Sequence, residues 1–330
     1  MKYGYGLALF FFLSFFAQGQ SVKLLQMGKA ASFRGLSVVT NNNIWVSGSQ
    51  GTVGLSKDGG RQWKWMTVAG FEKTDFRDIE AFNDSTAIIM GIGEPAYILR
   101  TTNAGESWDI VYENKTKGMF LDALDFYDDA HGIVVGDPIN GKFFMATTLD
   151  AGKTWQEMDE ATRPLADSGE ACFASSGTNI KMISPSDYVL ITGGLSASLI
   201  TPHNKMSLPL LKGKESTGAN SIAVYKKNYL IAGGDFNQRD ASKGNFLRCK
   251  NKGKYVETAL VPPTGYRSCI AHINKKKWIT CGLNGVDISN SNGLRFYRIS
   301  NDGFHVVQKA KKGNAVYLAG GNGRIGLFIP

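Results

Sequence analysis

Three copies of one short pattern, Ser56 to Trp63, Thr101 to Trp108 and Thr148 to Trp155, constrain this chain more than any other feature. Each reads S/T-x-D/N-x-G-x-x-W, and the tryptophans stand 45 and 47 residues apart. A fixed period of that length belongs to supersecondary units that stack or repeat around an axis, because one such unit cannot bury its own apolar face.

The pattern has a mechanical reading. The short side chains of Asp58, Asn103 and Asp150 can accept hydrogen bonds from the backbone just ahead of them, and the following glycine takes a positive φ without steric cost. The result is a self-supported hairpin turn. Trp63, Trp108 and Trp155 then open the returning strand, where a large apolar ring can wedge between neighbouring sheets. These turns resemble the Asp-box (BNR) repeats of sialidase-like β-propellers. The resemblance implies that the boxes are structural and sit on the face away from the usual binding site.

Between the boxes the text repeats as four strands: Phe33 to Val39, Ile44 to Gly48, Val53 to Ser56 and Trp63 to Val68 in the first copy. Copies open at Phe76 and Phe120, and strand text without clear boxes continues at Phe173, Ile222 and Tyr266, with worn turns at Thr201 to Met206, Cys249 to Tyr255 and Ser300 to Phe304. The last copy, Ala315 to Gly320 and Arg324 to Ile329, lacks an outer strand, whereas Val22 to Met27 is a spare one. Pairing the two would close a ring and remove its exposed edge. The expectation is an all-β fold: a single β-propeller over residues 20–330 with seven four-stranded blades, six being the alternative.

Residues 1–19 read as a secretory signal peptide: Lys2, an apolar run from Leu7 to Phe16, then Ala17-Gln18-Gly19. That run is too short to span a membrane and no later stretch is longer, so the chain is expected to be exported to the periplasm or outside, without a transmembrane anchor. The net charge of +9 is scattered, with Lys275-Lys276-Lys277 and Lys309, Lys311 and Lys312 as its clusters. Without aromatics interleaved along a basic face, nucleic acid is not the expected partner. Cys172, Cys249, Cys269 and Cys281 and the four histidines show no ligand spacing, so neither metal nor cofactor is expected. Cys269 and Cys281 flank one turn, leaving a disulfide and a pair of buried thiols both open. Gly321-Asn322-Gly323-Arg324-Ile325-Gly326 spells a dinucleotide fingerprint, but only four residues follow it and no helix can, so it reads as a strand turn.

In a propeller the loops leading into the innermost strands and those joining second and third strands converge on the central channel, opposite the box turns. This topology selects Arg34, Arg77, Asp78, Asp122, Glu170 and Arg267 from the first set, and Glu94, Asp137, Asp235, Asn237 and Asp287 from the second. Phe33-Arg34, Phe76-Arg77 and Tyr266-Arg267 repeat an aromatic-arginine pair, and three guanidiniums would clamp a carboxylate; pairing with Asp78, Asp122 or Glu170 is the other reading. Ser168 to Asn179 is small, polar and unlike the repeat, which marks it, with Asn179, for function or for an irregular blade junction.

Two further resemblances bear on activity. Phe33-Arg34-Gly35-Leu36 resembles the F-R-I-P motif whose arginine binds the sialic acid carboxylate in sialidases, without its Ile-Pro. Glu170 with Asp137 or Asp235 could supply the two carboxylates of a glycosidase. Over nearly the whole chain the repeats, including Ser32 to Leu36 and Leu99 to Trp108, resemble the photosystem II stability and assembly factor family. That resemblance implies a non-enzymatic propeller that binds another protein, with an arginine-bearing face in the photosynthetic members; here the arginines are fewer and mixed with carboxylates. The favoured reading is an exported, monomeric, non-catalytic propeller binding a protein or anionic glycan on its channel face. The alternatives are a sialidase-like glycoside hydrolase and a cell-envelope polysaccharide-binding scaffold.

Overall fold

Short apolar runs punctuated by Gly, Asn and Asp can only pair with their immediate neighbours, and residues 33–67 do so as Phe33–Val38, Ile44–Gly48, Thr52–Ser56 and Lys64–Thr67, paired antiparallel in chain order. A computed structural model describes residues 19–330. Seven such sheets form a ring with innermost strands at Phe33–Val38, Phe76–Ala81, Leu121–Phe126, Ile180–Met182, Thr217–Tyr225, Cys269–Asn274 and Val306–Lys309. Each has four strands, and blade five also carries two short outliers, Glu170–Ala171 and Gly193–Gly194.

The N-terminal strand Ser21–Gln26 is the outermost strand of blade seven, antiparallel to Ile325–Ile329 with Ser21 opposite Ile329. The ring is therefore closed as the spare strand predicts. The signal-peptide reading falls, apart from Gly19, outside the described residues. Among the described residues no helix is long and apolar enough to cross a membrane. The glycines of residues 321–326 form a turn, with Arg324 donating to the Gly321 carbonyl before the last strand.

The repeated turns follow the expected bonding. Asp58 Oδ1 accepts from the backbone of Arg61 and Gln62 at 3.0 Å each, while Ser56 Oγ accepts from Gly60 at 2.8 Å. Asp150 and Thr148 repeat this. Each tryptophan packs on the preceding blade: Trp108 lies edge-on to Trp45, with ring centroids 6.4 Å apart, and Trp155 joins the cluster of Ile88 and Met90.

Two departures from the sequence reading stand out. The worn turn of blade six lies at Ser289 to Phe296 rather than Ser300 to Phe304: Ser289 Oγ accepts from Gly293 at 3.0 Å, Ser291 Oγ from Arg295 at 3.0 Å, and Phe296 packs edge-on against Phe246 of the preceding blade. It is a fourth copy in which Ser replaces Asp and Phe replaces Trp. Blade four does not open at Phe173; its inner strand starts at Ile180, and the chain before it does something else.

Candidate functional site

That preceding chain, Phe173 to Asn179, crosses the channel. The Ser175 carbonyl accepts from Arg34 on blade one and the Ala174 carbonyl from Arg77 on blade two, at 3.3 and 3.5 Å. Across the ring, Ser175 Oγ donates to Asn220, Thr178 Oγ1 to Ser221 on blade five, and Ser176 Oγ to the Ser268 carbonyl beside blade six. Gly177 (φ +63°) presses on the Asp78 carboxyl, which a Cβ there would overlap. The segment is a plug that separates two cavities.

The upper cavity, 440 Å³, opens on the face away from the repeated turns. How the fold aims side chains into it is visible in the strand register. Pairing slips by one residue in five inner strands, once near the outer turn between His272 and Asn274 and four times toward the cavity, between Phe33 and Gly35, Phe76 and Asp78, Leu121 and Ala123, and Ala219 and Ser221. At these four, the skipped residues are Arg34, Arg77, Asp122 and Asn220. A bulge leaves its extra residue unpaired and re-aims its side chain, and all four line this cavity with Asp137, Phe173, Phe236, Tyr266 and His305.

The electrostatics favour an anion. Burial, and then the charge of Arg77, lower the pKa of Arg34, so the two cations crowd one space. Burial, and secondarily Asp137, push Asp122 well above the carboxylate range, and both its oxygens are buried without a partner. Burial also raises Asp137, which accepts from the Cys172 amide at 3.1 Å. His305 is held neutral: burial first, then Arg34, Arg77 and Arg324, take it down to about 3. Its Nε2 lies 3.2 Å from Ser32 Oγ and its Nδ1 has no partner. Arg77 Nε donates to Asp75 at 2.9 Å, and the two arginines otherwise face Asp122 and Asp137, acids whose ionised forms are disfavoured.

The remaining sequence candidates lie elsewhere. Arg267 is fully buried and bound to Asp287, which stands in the third strand of blade six rather than in a loop, so the three-arginine clamp reduces to two. Glu170 does not reach the cavity; it takes Thr192, Lys205 at 2.7 Å and the Asp167 amide at 2.9 Å, and its side chain has no exposure. Asp235 caps its own loop by accepting from Asn237 at 2.9 Å, and Asn237 is exposed on that loop. Of the carboxylates a glycosidase would need, only Asp137 lines the cavity, while Glu170 is engaged by Lys205 and Thr192 and Asp235 by its own loop. Asn179 donates to the Phe173 carbonyl within the plug, and Asp78 lies beyond it, lining the lower cavity. Cys269 and Cys281 are direct cross-strand partners and both are buried free thiols. Among the described residues no cluster suited to a metal occurs. His305 and Asn220 escaped the sequence reading, although Phe304-His305 repeats the spacing of Phe33-Arg34.

Fold and site together define a seven-bladed β-propeller with a plugged channel and a cationic, aromatic-walled pocket opposite its repeated turns. Residues 17–119 match the family described as Photosynthesis system II assembly factor YCF48. The fold is similar to that of YCF48 bound to D1 peptide (TM-score 0.67, 15% identity, covering 95% of this chain and 98% of that one). YCF48 from Cyanidioschyzon merolae is alike to the same degree (TM-score 0.67, 15% identity, 94% and 99% covered). The WD40 propeller domain of Doa1 is a more distant likeness (TM-score 0.62, 12% identity, 94% and 97% covered). No curated protein matches the chain. The chain is a seven-bladed β-propeller that is similar to YCF48 in its fold and, over residues 17–119, in its sequence.

Proposed function

We propose that this propeller is a non-catalytic binding protein that takes a carboxylate-bearing polypeptide segment on its channel face. The observation that carries the reading is the pair Arg34 and Arg77, re-aimed by bulges into one pocket beside a buried Asp122 carboxyl that has no well-aligned hydrogen-bond partner. Guanidiniums recognise a carboxylate by paired hydrogen bonds, and the walls of Phe173, Phe236 and Tyr266 suit the apolar atoms of the same segment. A propeller of the same fold has been seen with a peptide bound, which supports polypeptide over glycan. The residue pattern of Met1 to Gly19 adds that the protein works after export.

Peptide arrays probed with the chain from Gln20 onward test this. Peptides with a free carboxylate should be retained, and Arg34→Gln with Arg77→Gln should weaken them by about tenfold or more. Equal binding by the double variant refutes the pocket, and turnover of a fluorogenic sialoside refutes the absence of catalysis.

A further inference from the structure

The opposite face carries a second, unassigned feature. Turns between first and second strands share that face with the repeated turns, because the two kinds bond to each other: Gly59 N to Asn42 O, Ala104 N to Ser85 O and Ala151 N to Ala130 O, at 2.9 to 3.1 Å. Blades five and six obey the same rule through Lys252 N to Lys227 O and Asn292 N to Lys276 O, each 2.8 Å.

Among these first-to-second-strand turns charge is segregated around the ring. The first turn of blade five is Lys226-Lys227, that of blade six is Lys275-Lys276 with Lys277 behind it, and that of blade seven carries Lys309, Lys311 and Lys312. The equivalent turns of blades two to four carry Asp84, Asp128 with Asp129, and Asp187. Of the eight lysines, Lys311 pairs with Glu80, and no other forms an ion pair among the described residues. Turn chemistry does not explain their presence. Lys226 and Lys275 hold φ of +56° and +32°, where glycine or asparagine is favoured. Lysine at such positions costs local stability and calls for another reason.

We propose that this lysine arc is a docking surface for an acidic, extended polypeptide segment. Lysines present hydrated point charges on flexible stems, which suit a run of carboxylates rather than one fixed bidentate group. The arc covers three blades, and the turns of the next three set carboxylates, with Asp84 paired to Lys57, where a flat anionic membrane on the whole face would have to lie, whereas a narrow chain meets only the lysines. A sugar polymer would want a bare aromatic platform, and the ring nearest to hand is already engaged: Tyr225 stacks on His272 at 3.9 Å and has the Lys226 ammonium 5.5 Å from its centroid.

The test uses the chain from Gln20 onward and a fluorescent glutamate-rich peptide, with its glutamine counterpart, phosphatidylglycerol vesicles and polygalacturonate as comparators. The acidic peptide should bind, the glutamine peptide should not, and added salt should weaken binding. The variant Lys226→Asn, Lys275→Asn, Lys276→Gln, Lys312→Gln should keep its melting temperature, since asparagine suits the left-handed turns, and lose about tenfold in affinity. Its channel-face binding should be unchanged, which separates this surface from the pocket across the ring. Undiminished affinity in that variant, or tighter binding of vesicles or polygalacturonate than of the peptide, overturns the proposal.

Discussion

In blades one, two, three and five a single bulged residue decides what the blade shows to the channel, and the acids there behave in opposite ways to those in the turns. Asp122 is buried with no well-aligned bond to either oxygen, and burial outweighs the Arg77 charge and a weak contact from the Ala174 amide, so its ionised form is penalised and the folded pKa stands above the unfolded one. The sign follows: the fold binds the proton more tightly, so the penalty is absent below about pH 4, the unfolded carboxyl value, and grows as pH rises toward the folded pKa. Asp122→Asn should therefore raise stability at pH 7 by roughly 1–3 kcal/mol, read as a higher melting temperature, and flatten its pH dependence. A fall in melting temperature would mean that Asp122 is held by its surroundings rather than for a ligand. Asp150 is the reverse case. Burial works to raise it, but bonds from Thr154, Thr148 and Lys153 prevail and hold it down to about 2. Its contribution is present above about pH 4 and is lost as pH falls toward 2, so Asp150→Ala should lower the melting temperature at pH 7 and lose its effect at pH 2. Of the channel residues, Arg34, Arg77, Asp122 and Asp137 were legible because blade phase alone names the position facing the axis. Arg267 shares the aromatic-arginine text, yet it turns to Asp287 across two strands, a pairing that no local pattern encodes.

At the scale of elements, the repeat text was readable wherever the turn kept Asp or Asn, glycine and tryptophan. It failed at Ser289 to Phe296 because hydroxyls make the same bonds with different letters. The plug was legible only as a departure. Its partners, Arg34, Arg77, Asn220, Ser221 and Ser268, lie far away in sequence, so its path across the channel exists only once the ring is closed. Gly177 is the point where the plug has least room, holding a positive φ against the Asp78 carboxyl. Gly177→Ala combines backbone strain with that overlap and should cost about 2–4 kcal/mol. If the plug forms the floor of the binding pocket, the same variant should also weaken channel-face binding at temperatures where the fold persists. Destabilisation without any change in binding would limit the plug to a structural role.

For the molecule as a whole, closure is the property on which the rest depends. A ring of sheets leaves two unpaired edges unless its ends meet, and here Ser21–Gln26 covers the outer edge of blade seven from the far end of the chain. The same strand contributes to the core at the seam: Val22 and Leu25 pack with Phe304, Tyr317 and Phe328 in the cluster that joins blades one, six and seven. The contact is as non-local as the chain permits, so it forms last and opens first unless the seam is well packed. A chain beginning at Lys29 should expose the edge of Ile325–Ile329, melt lower by more than about 4 °C, and associate in solution through that edge. A synthetic peptide spanning residues 20–27 should restore the midpoint in trans, since it supplies both the hydrogen-bonding edge and the two apolar side chains. Calorimetry and size-exclusion chromatography read both effects. An unchanged midpoint in the shortened chain would mean that the blade interfaces hold the ring without its clasp, and that both binding faces are rigid independently of the N-terminal strand.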